Sequence, residues 1–204
     1  MRDLERALAR SWMGAAESAE SAARRLAERA VAEGLADVTY GWADSPFGSL
    51  LVAATPRGLV RLAYEHEQHE HVLEEIAEFI SPRVLEAPGR LEQIRRELEE
   101  YFVGRRHRFE IPVDWALVNE GFSRRVLRAT ARVPYGGVTT YGDVARRAGS
   151  PRAARAAGNA LGSNPIPIVV PCHRVIRSGG ELGGYGGGGT ERKAFLLRLE
   201  GAVE

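Results

Sequence analysis

The chain is short of sulfur, of aromatic residues and of any charge imbalance. A single cysteine, Cys172, among 204 residues leaves no partner for an internal disulfide, and a free thiol suits a reducing compartment. The net charge is only +1, so a basic footprint for nucleic acid has to be sought locally. No apolar run is long enough to cross a bilayer. The first residues alternate charges with alanines where a secretory signal needs an unbroken apolar stretch. A cytoplasmic protein with no membrane partner is expected. What is present, 44% hydrophobic and 27% charged residues, is enough to bury the core of one large or two small domains.

Three textures follow one another along the chain. Residues 1–36 read as one or two alanine-rich charged helices, with apolar marks at Leu4, Leu8, Trp12, Leu26, Ala30 and Val31, ended by Gly34. Short β-type runs follow at 38–42, 49–54 and 59–64, separated by Pro46-Phe47-Gly48 and Pro56-Arg57-Gly58, which is a hairpin meander. Helices are expected over 70–79 and 91–102, the second with Leu91, Ile94, Leu98, Tyr101 and Phe102 on one face, and then a strand around 109–113.

The second half carries the chemistry. Phe122, Val126, Leu127 and Val133 mark a helix ending before Pro134-Tyr135-Gly136-Gly137. Thr140-Tyr141-Gly142-Asp143 has the form of a capping box and opens a short helix. In Gly149-Ser150-Pro151, Ser150 is placed as N-cap and Pro151 as first residue of a second helix reaching about Leu161. Two short helices around a tight turn make a helix-turn-helix. The second helix is bare: Ala153, Ala154, Ala156, Ala157, Gly158 and Ala160 leave little to read base edges, so it suits close approach to a backbone or shallow groove. Arg155 is the one large cation on it.

Cys172 ends the apolar run 166–170 after Pro171, with an imidazole and a guanidinium, His173 and Arg174, next in line. Such company supplies thiolate, which a buried structural cysteine does not need.

Val133-Pro134-Tyr135-Gly136, Thr139-Thr140-Tyr141-Gly142, Ala153-Ala154-Arg155-Ala156, Asn164-Pro165-Ile166-Pro167, Pro171-Cys172-His173-Arg174-Val175, Gly184-Tyr185 and Leu196-Leu197-Arg198-Leu199-Glu200-Gly201 together resemble the O6-alkylguanine-DNA alkyltransferases. Order and spacing match from about Val133 to Gly201, more loosely over Val38 to Phe122, and not over 1–36. The fold class the resemblance implies is α/β (α+β). After a helical extension over 1–36 come an N-terminal ribonuclease-H-like mixed sheet domain over 37–118 and a C-terminal winged helix-turn-helix domain over 119–204.

The implied activity is direct reversal of DNA damage. Double-stranded DNA carrying O6-alkylguanine is bound by a monomer through the minor groove, the guanine is flipped out, and its alkyl group passes irreversibly to Cys172, with no cofactor and no metal. Cys172 matches the acceptor. His173 would activate it through a bridging water or a local turn, with Glu200 orienting the histidine. Tyr141 matches the tyrosine that contacts the flipped base and donates a proton, and Asn164 the asparagine that locks the active-site turn. Arg155 matches the residue that fills the vacated stack. Tyr185, Gly186, Gly187, Val175 and Pro167 are expected at the base pocket. Gly142, Ser150, Ala153, Ala154 and Ser178 join Arg155 and Tyr141 on the DNA.

The chain departs from the family pattern at its glycine tract. Eight of the eleven residues from Gly179 to Gly189 are glycine, one residue more than usual lies between Tyr185 and Lys193, and Gly186 replaces a frequent serine. A wider, more mobile pocket wall is expected there, which leaves the preferred alkyl group and action on O4-alkylthymine open. No Gly-Lys-Ser/Thr follows, so the tract is not a phosphate-cradling loop. His66, His69 and His71 lack the spacing of a structural zinc site and are read as a solvated helix start. A Cys-His hydrolase would use the same side chains but turn over repeatedly, and a damage-sensing binder would lack the cysteine.

Overall fold

The structure is a computed structural model that describes residues 21–203. The marks at Leu4, Leu8 and Trp12 lie outside the described residues. Helix α1 is described over 21–32 and is followed by Gly34 in a left-handed conformation (φ +72°), a backbone state that glycine adopts without strain.

The meander forms β1 (Val38–Ala43), β2 (Leu50–Thr55) and β3 (Gly58–Ala63), close to the expected runs. Helix α2 (His69–Phe79) leads to β4 (Val84–Glu86), and α3 spans Glu92–Phe102. The sheet order is β3-β2-β1-β4, antiparallel except for the parallel pair β1–β4. Strand β4 was not foreseen: three residues, two half-buried and apolar and one an exposed glutamate, carry no alternation to read. Both faces of the sheet are covered, which is why β2 reads as a continuous apolar run. Leu51, Ala53 and Val60 pack against Val72 and Ile76 of α2 on one face. Leu50, Val52 and Leu62 join Leu98 and Tyr101 of α3 and the second half of the chain on the other.

The strand expected around 109–113 is a single bridge, Leu59 to Val113. Leu59 donates its N–H to the Pro112 carbonyl and accepts from Asp114, but Pro112 has no N–H with which to extend a ladder.

In the second half, α4 (Phe122–Thr130) precedes β5 (Thr139–Thr140), α5 (Tyr141–Arg147) and α6 (Ala154–Gly162). Thr140 caps α5 as expected: its Oγ1 accepts the Asp143 N–H at 3.1 Å and donates to Asp143 Oδ2 at 2.8 Å. The second cap is different. Ser150 and Pro151 belong to the turn, Ala153 stands at the N-cap without a side-chain bond, and the Ser150 carbonyl accepts the Ala153 N–H. The apolar run 166–170 is no strand. Pro165, Pro167 and Pro171 remove donors, Ile168 takes φ +72°, and the segment winds through buried turns into a 3-10 turn over Cys172–Arg174. Strand β6 (Val175–Ile176) pairs parallel with β5, and α7 (Gly189–Leu199) closes the chain with Glu200 at its C-cap and Gly201 at φ +68°.

Candidate active site

A cavity of about 530 Å3 opens between α5, α6 and the glycine tract. Cys172 lines it, together with Tyr141, Ala154, Arg155, Tyr185 and Gly186. The lone thiol is buried, and Asn164 holds it: the side-chain amide donates to Cys172 Sγ at 3.2 Å and to the Val170 carbonyl at 2.8 Å, while its oxygen accepts the Ile166 N–H. The 3-10 turn turns His173 away from the cavity and toward α7. His173 Nε2 lies 2.8 Å from Glu200 Oε1. No direct Cys172–His173 hydrogen bond is present among the described residues.

Glu200 is the hub of a buried network. Arg174 clamps it with Nε on Oε2 at 2.8 Å and Nη2 on Oε1 at 2.9 Å, and the Tyr101 hydroxyl of α3 donates to Oε1 at 2.6 Å. Burial alone would raise the carboxyl, but the hydrogen bonds from His173 and Arg174 outweigh it and hold the pKa at about 2. An ionised carboxylate only accepts, so the hydrogen of the neutral imidazole sits on Nε2. That leaves Nδ1 with a lone pair, and Nδ1 is buried with no hydrogen-bond partner among the described residues. Burial also lowers the His173 pKa, so the ring stays neutral at pH 7.

Burial pushes the Cys172 thiol up to about 11, with Asn164 and the Lys193 ammonium pulling the other way. Lys193 of α7 is fully buried and donates to the Val175 carbonyl at 2.5 Å and the Gly184 carbonyl at 3.4 Å. Its own pKa falls to about 8 through burial, with the cysteine raising it. Lys193 and Tyr101 escaped the reading of the sequence, since a lysine in an amphipathic helix and a tyrosine on an apolar face both read as ordinary.

Of the other expected residues, Asn164, Pro167 and Gly187 lie behind the cavity wall, around a neighbouring pocket of about 210 Å3. Val175 is fully buried and contributes its carbonyl to Lys193 rather than a side chain to the cavity. Ser150 and Ala153 line a shallow hollow at the helix-turn-helix turn, Gly142 is half-buried in α5, and Ser178 is exposed beyond β6. Gly158 of α6 packs against the Tyr141 ring, a Cβ there meeting it at 3.7 Å.

Two glycines of the tract have a packing reason, whereas Gly184, also at the cavity, has open space at its Cβ position. A Cβ on Gly186 would sit 2.3 Å from the Gly162 carbonyl oxygen, and one on Gly187 would lie 2.6 Å from the Tyr64 ring and 2.7 Å from that of Tyr185. The histidines lie apart: His71 is exposed beside Glu74, His69 packs edge-on to Trp42, and His66 stacks on Tyr64. Among the described residues no group of three or more His, Cys, Asp or Glu side chains is placed to hold a metal.

A buried thiol at the floor of a cavity, backed by an imidazole–carboxylate pair and flanked by the bare helix of a helix-turn-helix, defines a thiol-centred protein of a specialised class. Residues 121–202 match the model of the 6-O-methylguanine DNA methyltransferase DNA-binding domain, and residues 38–115 match that of the ribonuclease-like domain of the same proteins. The chain is similar to the constitutive methylated-DNA--protein-cysteine methyltransferase of Bacillus subtilis, 38% identical over 79% of this chain and 94% of that one. It is 43% identical to the Mycolicibacterium paratuberculosis methylated-DNA--protein-cysteine methyltransferase over 80% of this chain and 92% of the relative. The crystal structure of Mycobacterium tuberculosis OGT in complex with DNA superposes with a TM-score of 0.68 at 37% identity, over 80% of this chain and 93% of that one. The chain belongs to the O6-alkylguanine-DNA alkyltransferase (6-O-methylguanine DNA methyltransferase) family.

Proposed function

We propose that the protein repairs O6-alkylguanine in double-stranded DNA by moving the alkyl group to Cys172, once per molecule. The observation that supports this most directly is the buried free thiol on the floor of a cavity able to take one base, beside the exposed face of α6. Helix α6 buries Ala157, Ala160 and Leu161 and leaves Arg155 and Ala156 outward, so the backbone of a duplex can come close while Arg155 enters the space the guanine leaves. Ala153, Ala154, Gly142, Ser150 and Ser178 would lie along the phosphates.

In the chemical step the proton of Cys172 passes through one bridging water to His173 Nδ1. The Glu200 carboxylate supports the resulting imidazolium, while the Asn164 amide and the Lys193 ammonium support the thiolate. The thiolate forms an S–C bond to the alkyl carbon as the C–O6 bond breaks, and its electron pair leaves with the guanine. Tyr141, whose phenol is kept protonated by burial and by the nearby cysteine, donates to N3 of the departing base. Nothing in the sequence of steps removes the alkyl group from sulfur, so one equivalent ends the reaction.

The two matched stretches support a division of the chain between 115 and 121, with the sheet domain before it and the winged helix-turn-helix domain after it. No helix among the described residues is long and apolar enough to cross a membrane. The proposed protein is a cytoplasmic monomer, a reading supported by its free thiol and by a cavity lined by residues of one chain. Intact-mass analysis after incubation with an O6-methylguanine duplex tests the proposal: one methyl on Cys172 and none on Cys172→Ala is expected. An unmodified protein, or repeated turnover, overturns it.

A further inference from the structure

Behind the wall of the Cys172 cavity lies a second tyrosine, contributed by the other half of the chain. Tyr64 follows β3 and is fully buried. Its hydroxyl stands 2.9 Å from that of Tyr185, 121 residues away. Tyr185 lines the cavity beside Cys172, and Tyr64 does not.

Tyr64 is itself held from three sides. The Arg192 guanidinium lies 4.8 Å from the centre of its ring and 5.6 Å from that of Phe47. The Glu67 carboxylate accepts its backbone N–H at 2.8 Å. The main chain of Gly187 is packed so tightly against both tyrosine rings that a methyl group has no room there. Burial raises both phenols well above their ordinary range, so the two hydroxyls stay neutral and bonded across the neutral pH range.

Tyr185 therefore cannot tilt away from Cys172 without giving up a buried hydrogen bond. We infer that Tyr64 is a positioning residue that fixes the Tyr185 ring and so limits the size of the alkyl group the Cys172 cavity accepts. The inference rests on the alkyl-transfer reading above and extends it. A benzyl group on Cys172 presses on the wall more than a methyl group does, being several times larger. The cost of moving Tyr185 falls more heavily on the bulky substrate, which makes the first domain a size gauge for a site it does not enter.

Tyr64→Phe removes one oxygen and keeps the ring. Rates of Cys172 modification are measured with an O6-methylguanine duplex and with free O6-benzylguanine, for wild type, Tyr64→Phe and Tyr185→Phe, alongside thermal midpoints. The ratio of benzyl to methyl rates is expected to rise about fivefold in Tyr64→Phe, the equivalent of one buried neutral hydrogen bond of about 1 kcal/mol. Tyr185→Phe breaks the same bond from the other side and decides the matter if Tyr64→Phe fails to fold; where both fold, the double variant should match the single ones in this ratio. An unchanged ratio, or a proportional loss of both rates that follows the fall in thermal midpoint, overturns the inference. A wild-type protein that accepts neither group removes the alkyl-transfer reading itself, and the inference with it.

Discussion

His173 and Glu200 are 27 residues apart in the chain and 2.8 Å apart in the fold, Nε2 against Oε1 in a fully buried pair. The same carboxylate is clamped by Arg174, the residue after the histidine, so one 3-10 turn brings two side chains to one acid. Breaking a pair of this kind exposes a charge that cannot be solvated.

The pH dependence of stability follows with a definite sign. The Glu200 pKa is depressed to about 2, so its contribution is complete above the unfolded carboxyl value and is lost as pH falls from about 4.5 toward 2, on the order of 3 kcal/mol in all. His173, also depressed, adds a loss that begins below about 6.5. Denaturant unfolding between pH 7 and 3 should show this acid slope. In Glu200→Gln the part below 4.5 should flatten, and stability at pH 7 should fall by about 3 to 5 kcal/mol because Arg174 loses its partner.

Lys193 should matter through charge rather than packing. Its ammonium favours the thiolate that the reaction needs, in a site where burial opposes ionisation. Lys193→Met keeps most of the aliphatic volume and should shift the pH profile of Cys172 alkylation by a small thiol reagent upward by about one unit. A profile that stays in place with a slower plateau assigns the lysine to structure alone.

Arg155 lines the mouth of the cavity on a helix with little else to offer. Arg155→Ala should slow repair of a methylated duplex by about tenfold or more, the loss of a contact that offsets base extrusion. Reaction with free O6-benzylguanine, which needs no extrusion, should stay within about twofold, since one substitution on an exposed face changes little else. Single-turnover kinetics on both substrates compare the two directly.

Alkylated protein should be less stable than fresh protein. Cys172 is 5% exposed, with the Asn164 amide 3.2 Å from its sulfur. A methyl there replaces the thiol hydrogen, weakens that hydrogen bond and adds volume beside the sulfur, at about 1 to 3 kcal/mol. Thermal midpoints before and after one equivalent of methyl transfer, and again with benzyl, should fall in that order.

Much of this was legible along the chain because the determinants are local. The strand runs at 38–64, the amphipathic face of α3 and the Thr140 cap depend on spacing within a few residues, and all are found near the expected positions. The motif residues Cys172, His173, Asn164, Tyr141 and Glu200 were picked out by pattern and by family resemblance. Their mutual placement was not visible. The apolar run 166–170 has the composition of a strand, and only Pro167 within it, Pro165 and Pro171 on either side and the bond from Leu62 of β3 to the Pro165 carbonyl make it a string of turns.

The order of residues alone supplies the chemistry available: one thiol, one neighbouring imidazole, a carboxylate at a helix end and a helix stripped of side chains. How those groups are tuned depends on the folded chain. Burial sets the direction of the Cys172 and Lys193 shifts and the hydrogen bonds from His173 and Arg174 set that of Glu200, and both depend on contacts made by residues far apart in the chain. Tyr64 reaching Tyr185, Tyr101 reaching Glu200 and Lys193 reaching the Val175 carbonyl carry no mark in the primary sequence. Each is a pairing across the core, and the short-range periodicities that reveal helices and strands hold no information about which of their faces will meet.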